Sequence, residues 1–173
     1  MVMPYESRPR MKIPYSKKHK VIDIFSLAGI VLLIVFPYVT SRYLQERVPL
    51  HFDGAGNPNR FGSPEDFVKI WFVLIGAAIV TWVVLSLLRF IPHYFNLPVR
   101  ITNENAEKQY SLGIDLIYTM KIGVVILFLS IQIMAVISAF RGKLTYEILL
   151  IFVPLAFLFY SLGSFIRNSL KFK

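Results

Sequence analysis

The sequence predicts an all-α integral membrane protein, built as a bundle of four transmembrane helices. The first observation is four long apolar runs, at about residues 21–43, 68–88, 122–140 and 148–165. Each run reaches or approaches the length of about 20 helical residues that crosses the hydrocarbon core of a bilayer. The second is composition, since 55% of the 173 residues are hydrophobic. The third is the placement of positive charge around the runs.

Lysine and arginine are distributed unevenly between the two sides of the predicted membrane domain. Thirteen of the 19 lie before the first run, between the second and third runs, or after the fourth. Because these residues are retained on the cytoplasmic side of membrane proteins, both termini are predicted to be cytoplasmic. The chain then divides into a basic tail (1–20), a four-helix membrane domain (21–165) and a second basic tail (166–173). The net charge of +9 is interpreted as contact with membrane lipids. A nucleic-acid partner is not expected, because the basic residues flank the predicted spans.

The first run is predicted to be a retained span. It is too long for the apolar region of a signal peptide, and no small-x-small cleavage pattern follows it. Its helix is predicted to begin near Asp23, where an acidic side chain suits the positive end of the helix dipole. Pro37 should kink its last turns. The preceding tail contains Pro4, Pro9 and Pro14 and should be disordered unless it docks onto something.

The loop at 44–63 is predicted to be structured and extracytoplasmic. Val48–Phe52 can run extended into a turn made by Gly54, Gly56 and the pair Asn57-Pro58. Ser63-Pro64-Glu65-Asp66 is then a strong helix start, because serine caps, proline suits the first helical position and acids favour the first turn. The second span should therefore begin at about Pro64 and end before Pro92.

The third span is predicted to carry an amphipathic cytoplasmic extension. A helix start at Thr102 or Asn103 is followed by apolar residues at three- to four-residue spacing, from Ala106 to Ile117. No proline separates this stripe from the third run, so one helix over about 103–140 would be ~57 Å long at ~1.5 Å per residue. The segment 141–147 then joins the third and fourth spans as a tight antiparallel hairpin.

The interiors of the spans are predicted to be free of charge, which argues against an ion or proton pathway. Asp23, Lys69, Lys121 and Arg141 all lie near span ends. Gln132 is the one polar residue of real size in the middle of a span. A hydrogen bond to another helix is the favoured interpretation of Gln132, and a place on a substrate path is the alternative.

The sequence offers no catalytic apparatus, so we predict no enzymatic activity, no catalytic residue, no cofactor and no metal. There is no cysteine, no nucleophile elbow and no phosphate-binding glycine loop. The predicted topology separates His51 from His19 and His93, so the three cannot share one metal ion. His51 and Asp53 would share one face of an extended segment. Hydrogen bonding within the loop is the favoured role for this pair, followed by partner recognition, with a metal or proton role last.

Two segments resemble a known family. The stretch 48–59, Val-Pro-Leu-His-Phe-Asp-Gly-Ala-Gly-Asn-Pro-Asn, resembles a signature that follows the first span of a small bacterial membrane domain of uncharacterised function. That domain forms the N-terminal part of the immunity protein against the sporulation-delay toxin (the SdpI-like family). The stretch 96–110, with its Asn-Leu-Pro-Val-Arg-Ile-Thr-Asn-Glu-Asn-Ala segment, is similar to one before the third span of small relatives. With the four-span layout, the resemblance covers about residues 20–165.

The resemblance implies a protein of the bacterial cytoplasmic (inner) membrane whose outer loop is its working surface. For partner recognition or loop structure it singles out Pro49, His51, Phe52, Asp53, Gly56, Pro58 and Arg60. For a cytoplasmic motif it singles out Asn96, Pro98, Thr102, Glu104 and Asn105. The chain departs from the family at Asn59, where an acid is usual, and around Pro64, where a lysine is expected. Both departures bear on partner recognition.

Three functions fit these expectations. The first is a binding, immunity-type or regulatory protein that meets a peptide or another membrane protein at its outer loop, 44–63. The second is an accessory structural subunit of a larger bacterial membrane complex. The third, a small transporter, is ranked last because the spans carry no ionisable residue.

Overall fold

The computed structural model describes residues 7–173 and contains four long helices and one β-hairpin. Two single 3-10 turns precede α3 and α4, at Pro92–Tyr94 and Tyr146–Ile148. In chain order the elements are α1 (Lys17–Ser41), β1 (Val48–Phe52), β2 (Pro58–Gly62), α2 (Pro64–Leu88), α3 (Ala106–Arg141) and α4 (Leu149–Lys171). All four helices are long and apolar enough to cross a membrane, which confirms the prediction of four helices of spanning length.

The helix α1 begins at Lys17, six residues before the predicted start at Asp23. Ser16 caps it, since the Ser16 hydroxyl accepts a hydrogen bond from the His19 amide at 3.2 Å. In return the Ser16 amide donates to Nδ1 of the His19 ring at 3.4 Å, so both ends of this capping box are satisfied. Asp23 therefore lies within the helix, and Pro37 is also inside it.

The strands β1 and β2 form a two-stranded antiparallel sheet, so the prediction of a purely all-α protein needs correction. Val48–Phe52 is extended as expected. The prediction missed its partner strand because Pro58–Gly62 carries little apolar alternation, and most of its residues are exposed. The register shifts on both sides of His51, which makes the hairpin irregular there.

The start of α2 confirms the predicted helix start. The Asp66 amide donates to the Ser63 hydroxyl at 3.2 Å, and the Ser63 amide donates to an Asp66 carboxylate oxygen at 3.1 Å. Pro64 occupies the first turn, where a proline leaves no extra amide unpaired. The hairpin therefore leads directly into a capped helix, and the cap fixes the orientation of β2 relative to α2.

The helix α3 begins at Ala106 rather than at Thr102 or Asn103. The residues before it form a hydrogen-bonded turn. The Thr102 amide donates to the Asn105 side chain at 2.9 Å, and the Asn105 amide donates to the Thr102 hydroxyl at 3.3 Å. From Ala106 the helix runs for 36 residues without a break, or ~54 Å at ~1.5 Å per residue, which confirms the predicted continuous helix.

The helix α3 is the centre of the bundle, because it packs against α1, α2 and α4. The main apolar core lies between α1, α2 and α3 and includes Leu33, Trp71 and Val125. By contrast, α4 packs mainly on α3. In the most apolar stretch of 18 residues in this helix, only 6% is buried. Large apolar side chains therefore cover most of the outer surface of α4, as expected for a helix surrounded by lipid.

The two ends of the bundle differ in what closes them. We call one the hairpin end, made by residues 42–63 and 142–148. The other is the terminal end, made by residues 7–16, 89–105 and 172–173. The segment 7–15 docks at the terminal end, where the Arg8 guanidinium donates to the carbonyl oxygens of His93 and Phe95 at 3.3 and 2.7 Å. The tail is therefore docked from Ser7 onward, and Pro4 lies outside the described residues.

Candidate functional site

The turn of the hairpin is held by the carboxylate of Asp53. One of its oxygens accepts from the amides of Ala55 and Asn57, both at 2.9 Å. The backbone adds two bonds, from the Asp53 amide to the Asn57 carbonyl at 2.8 Å and from the Gly56 amide to the Asp53 carbonyl at 2.9 Å. An aspartate that bonds amides two and four residues ahead fixes a turn of this kind without any other partner.

Gly56 joins this turn to the loop between α3 and α4. Its φ of 79° lies in the left-handed region that favours glycine. Its carbonyl accepts from the Leu144 amide at 3.0 Å, and a Cβ at this position would collide with the Leu144 carbonyl oxygen. The close contact between Gly56 and Leu144 therefore fixes the hairpin against the loop between α3 and α4, and a residue larger than glycine cannot make this contact.

The side chains on the hairpin are ordered by neighbouring polar and aromatic groups. His51 Nδ1 lies 2.6 Å from the Asn59 side-chain oxygen, and the Arg47 guanidinium lies 4.3 Å from the centre of the Phe61 ring. Asn59 is the position where the resembled family usually has an acid, so here a neutral amide holds the imidazole. Among the hydrogen bonds of the described residues, none links His51 to Asp53, because Asp53 bonds the turn instead.

The singled-out residues of the hairpin divide by exposure. His51, Asp53 and Arg60 are exposed, whereas Pro49 and Gly56 are buried. Phe52 and Pro58 are intermediate. The exposed members lie on the outer surface of the hairpin, and the buried ones hold the hairpin to the helices.

A cavity of about 230 Å³ lies beneath β1. One wall is the segment Pro49–Phe52, and a second comes from α2 through Phe67 and Trp71. The floor comes from α3 through Met134 and Ser138. The sequence prediction found the hairpin wall of this cavity and missed the helical walls, because nothing in an apolar run marks which residues face a loop.

Ser138 is the one polar residue among those that α3 contributes to the lining of this cavity. Ser138 is completely buried, and within residues 7–173 its oxygen has no hydrogen-bond partner. Other hydroxyls in the spans, such as those of Thr81 and Ser86, bond the carbonyl four residues earlier at 2.8 and 2.7 Å. A buried hydroxyl without a partner is unfavourable by about 1–3 kcal/mol.

A buried carboxylate fixes the loop beside the cavity. Glu147 is 2% exposed, accepts from the amide and hydroxyl of Thr145 at 2.8 and 2.7 Å, and pairs with Arg141. Leu144, which closes one side of the cavity, therefore lies in a loop held at both ends.

The second set of singled-out residues lies at the terminal end, so the structure does not bring the two motifs together. Asn96 and Pro98 are exposed. Asn105 is buried and donates to the Arg100 carbonyl at 2.9 Å, in addition to its bonds with Thr102. A hydrogen bond from Thr102 lowers the pKa of Glu104. These contacts shape the entry into α3.

Two of the charges that the sequence places near span ends form a buried ion pair. The side chain of Lys121 is completely buried and forms an ion pair with Asp23 of α1. Its ammonium group also lies 4.2 Å from the centre of a Trp82 ring. Asp23 lies about a quarter of the way along α1, and Lys121 directly precedes the third apolar run within α3. Their opposite signs near the same end of two neighbouring spans are the sequence signal that could have revealed the pair.

Polar and aromatic groups continue around this pair, which we call the terminal-end cluster (Tyr15, His19, Asp23, Ser26, Trp82, Arg89, Asp115, Tyr118 and Lys121). His19 Nε2 lies 2.7 Å from an Asp115 oxygen, and the His19 ring stacks on Tyr118 at 4.3 Å. The Tyr15 hydroxyl donates to Asp23 at 2.6 Å. That hydrogen bond, with burial, raises the pKa of Tyr15 to about 12.

The remaining sequence expectations concern metals and Gln132. Within residues 7–173 no group of three or more His, Cys, Asp or Glu side chains could hold a metal ion. Gln132 donates to the Leu33 carbonyl of α1 at 3.1 Å. This bond confirms the preferred interpretation of Gln132 as a link between helices.

Comparisons with known proteins agree with a membrane domain of uncharacterised function. A family model described as a domain of unknown function (DUF1648) matches residues 28–77. An uncharacterised protein of Archaeoglobus fulgidus is 34% identical over 96 residues, which are 52% of this chain and 51% of that protein. The chain thus spans about half the length of the relative that it matches. No solved structure matches the chain.

The family match falls on the second half of α1, the hairpin and the first half of α2. It therefore includes the hairpin and α2 walls of the cavity and excludes Asp23, Lys121 and the second motif. Neither description states an immunity role, so that part of the resemblance stays a prediction.

Proposed function

We propose that the chain is a non-enzymatic, multi-pass protein of a prokaryotic cytoplasmic membrane that binds a protein or peptide partner at its hairpin end. The hairpin end faces outward and both termini face the cytoplasm. The excess of lysine and arginine in the segments that join or flank the helices at the terminal end supports this orientation. The immunity-type role implied by the family resemblance is one specific form of this function.

The observation that carries the proposal is the rigid seating of the hairpin. Its turn is closed by Asp53, and its position on the bundle is fixed by the bond between Gly56 and Leu144. A surface that is ordered before its partner arrives loses less conformational entropy on binding, so a given set of contacts gives a higher affinity.

The exposed side of the hairpin has the composition of a recognition surface. Phe61 is 39% exposed and lies beneath the Arg47 guanidinium. Arg60 and Asn59 of β2 are exposed beside it. Aromatic and arginine side chains are enriched in protein interfaces, and the outer edge of β2 also offers backbone groups to an extended peptide.

The orientation can be tested by cysteine labelling, since the chain has no cysteine of its own. Gly54→Cys lies in the exposed turn, where a side chain meets nothing within 4 Å. We expect a membrane-impermeant maleimide to label Gly54→Cys in intact cells and to label Lys173→Cys only after lysis. Labelling of Lys173→Cys in intact cells, with Gly54→Cys protected, would contradict the proposed orientation and support the opposite one.

The partner role can be tested with a photo-crosslinking amino acid at Phe61. Phe159, which is 71% exposed on α4, is the matched aromatic control on the lipid-facing side. We expect a discrete crosslinked protein or peptide from position 61 in membranes of the native host, and none from position 159. A product from position 159 alone would favour the accessory-subunit function, and none from either position would contradict partner binding.

A further inference from the structure

We propose that a pocket between the docked tail and the end of α2 binds the headgroup of an anionic phospholipid, one that carries a phosphate and no ammonium group. The pocket measures about 250 Å³ and is lined by Met11, Lys12, Ile13, Arg89 and Phe90. We call it the Arg89 pocket. Such a site is independent of any partner at the hairpin end, and the orientation proposed above decides only which leaflet supplies the lipid.

The docked tail holds Lys12 at one wall of the pocket. Met11 and Ile13, on either side of it, pack against a buried apolar cluster that includes Ile101 and Tyr110. Lys12 lies between these two anchors and is itself exposed. The backbone of the tail is therefore fixed beside α2, while the ammonium group stays accessible to a ligand.

Arg89 forms the opposite wall and is held there by neutral groups. It is half-buried, and its guanidinium donates to the Tyr118 hydroxyl at 3.0 Å. The guanidinium carbon lies 4.3 Å from the centre of the Tyr15 ring and 5.0 Å from that of Phe90. Because a guanidinium has five N–H donors, these contacts orient the group without neutralising its charge.

The two cations of the pocket lack an acidic counterpart in the part of the chain that the structure describes. Within residues 7–173, none of the ion pairs includes Lys12 or Arg89, and no acidic residue lines the pocket. The carbonyl end of α2 adds only about half a negative charge, which two full cations outweigh. The pocket therefore attracts an anion, and it would repel the ammonium group of a zwitterionic headgroup.

A cavity of about 210 Å³ between α3 and α4 provides a contrast. Lys18 and Asp115 both line it, and their charged groups lie 3.4 Å apart. This pair of opposite charges leaves no excess of positive charge there. The preference for an anion is therefore specific to the Arg89 pocket.

The surroundings of the Arg89 pocket favour a lipid as the source of the anion. Leu87, Phe90 and Ile91 are 59%, 69% and 40% exposed, so apolar surface continues from the pocket onto the end of α2. Basic residues at a membrane surface attract anionic lipids. The volume is below the about 300–1,000 Å³ of sites that enclose a complete small molecule, which fits a headgroup whose acyl chains lie outside along α2.

The test uses the intact protein in a neutral detergent, with phosphatidylglycerol and phosphatidylcholine of identical acyl chains. Native mass spectrometry measures the affinity for each lipid. We expect wild-type protein to bind phosphatidylglycerol about fivefold more tightly, because one basic residue near an anionic lipid contributes about that factor. Equal affinities for the two lipids would overturn the proposal.

Lys12→Gln removes one cation of the pocket without disturbing the fold, since Lys12 is exposed. It should lower the affinity for phosphatidylglycerol about fivefold and leave that for phosphatidylcholine unchanged. Lys17→Gln is the matched control, because Lys17 is also exposed and does not line the pocket. Equal losses from the two variants would indicate a diffuse basic surface and would overturn the site.

Arg89→Gln and Arg89→Lys test the second cation. Arg89→Gln should remove the preference for phosphatidylglycerol, whereas Arg89→Lys retains the charge and should keep most of it. A preference that survives in Arg89→Gln would place the lipid elsewhere and overturn the Arg89 pocket.

Inorganic phosphate separates a lipid site from a site for a free anion. We expect it to displace phosphatidylglycerol no more than sodium chloride of the same ionic strength does, because screening is then the same and phosphate has no acyl chains to contact α2. Specific displacement by phosphate would overturn the assignment to a lipid. None of these outcomes depends on the crosslink from position 61, so the lipid site and the partner function fail separately.

Discussion

The hairpin end and the terminal end of the bundle are both ordered, but by different chemistry. Backbone hydrogen bonds, a glycine and one aspartate hold the hairpin turn. Ion pairs, stacked rings and side-chain hydrogen bonds hold the terminal end. At the terminal end the buried charges have partners, and near each end one buried hydroxyl, of Tyr110 and of Ser138, lacks a partner among the described residues.

This difference concerns how the two ends are held together. Ionisable residues inside a membrane domain are a default sign of function, and Lys121 alone would point to the terminal end. Its contacts are already complete, however, with Asp23 as its counterion and Trp82 and Tyr118 around its ammonium group. The buried charge at the terminal end is therefore explained by its structural contacts.

The largest expected effect tests the structural role of the terminal-end cluster. Lys121→Met leaves the Asp23 carboxylate without its counterion, so we expect the free energy of unfolding to fall by about 3 kcal/mol. Reversible unfolding in mixed detergent micelles measures it. The double variant Lys121→Met/Asp23→Leu should recover most of the loss, because an apolar pair can replace a buried ion pair.

Lys69→Met is the matched control for that substitution. Lys69 pairs with Asp66 on the surface, with its side chain 70% exposed, so we expect no measurable change in stability. A loss from Lys69→Met as large as that from Lys121→Met would mean that burial does not set the importance of these lysines.

The next effect tests how the hairpin is seated. Gly56→Ala must accept a φ of 79° and a collision with the Leu144 carbonyl oxygen, so we expect a loss of about 2 kcal/mol in the free energy of unfolding. The crosslink from position 61 should weaken with it. Gly54→Ala, two residues away and in open space, should change neither. Equal behaviour of the two variants would contradict a seated hairpin.

A smaller effect tests the hydrogen bond between α1 and α2. Ser26→Ala removes the acceptor of the Trp82 indole N–H, which lies 2.8 Å away, so we expect a loss of about 1 kcal/mol. The emission of Trp82 should shift as its surroundings change. Ser161→Ala is the control, since that hydroxyl bonds only its own helix on the exposed face of α4. An unchanged stability of Ser26→Ala would mean that this hydrogen bond does not stabilise the terminal end.

The smallest effect is a pH dependence of the docked tail. The pKa of Tyr15 is raised from 10.0 to about 12 by its hydrogen bond to Asp23. A raised pKa means that the bond stabilises the fold below about pH 10 and that this contribution is lost as the pH rises through about 12. The difference in Tm between wild type and Tyr15→Phe should therefore shrink over that window. A constant difference would mean that Tyr15 acts only by packing.

The sequence predicted those parts of the fold that depend on local chemistry. Apolar runs located the helices, Ser63-Pro64 located the start of α2, and the glycines located the hairpin turn. The start of α3 was misplaced by a few residues, because Thr102 and Asn105 bond each other before the helix begins.

Features that depend on distant residues could not be predicted in the same way. Lys121 and Asp23 are 98 positions apart. Arg8 bonds backbone carbonyl groups, which every residue type has and which the sequence therefore does not mark. Ser138 resembles the other serines of the spans. Only its burial without a partner among the described residues separates it from hydroxyls that bond their own helix.

The length of α3 has a mechanical consequence. Ser138 at the cavity, Lys121 in the ion pair and Gln109, which donates to the carbonyls of Ser169 and Phe172 at 2.9 and 2.8 Å, all lie on one unbroken helix. The described helix contains no proline that could act as a hinge. If α3 tilts as one unit at one end of the bundle, its contacts at the other end are displaced as well. The two ends are therefore mechanically linked through this helix.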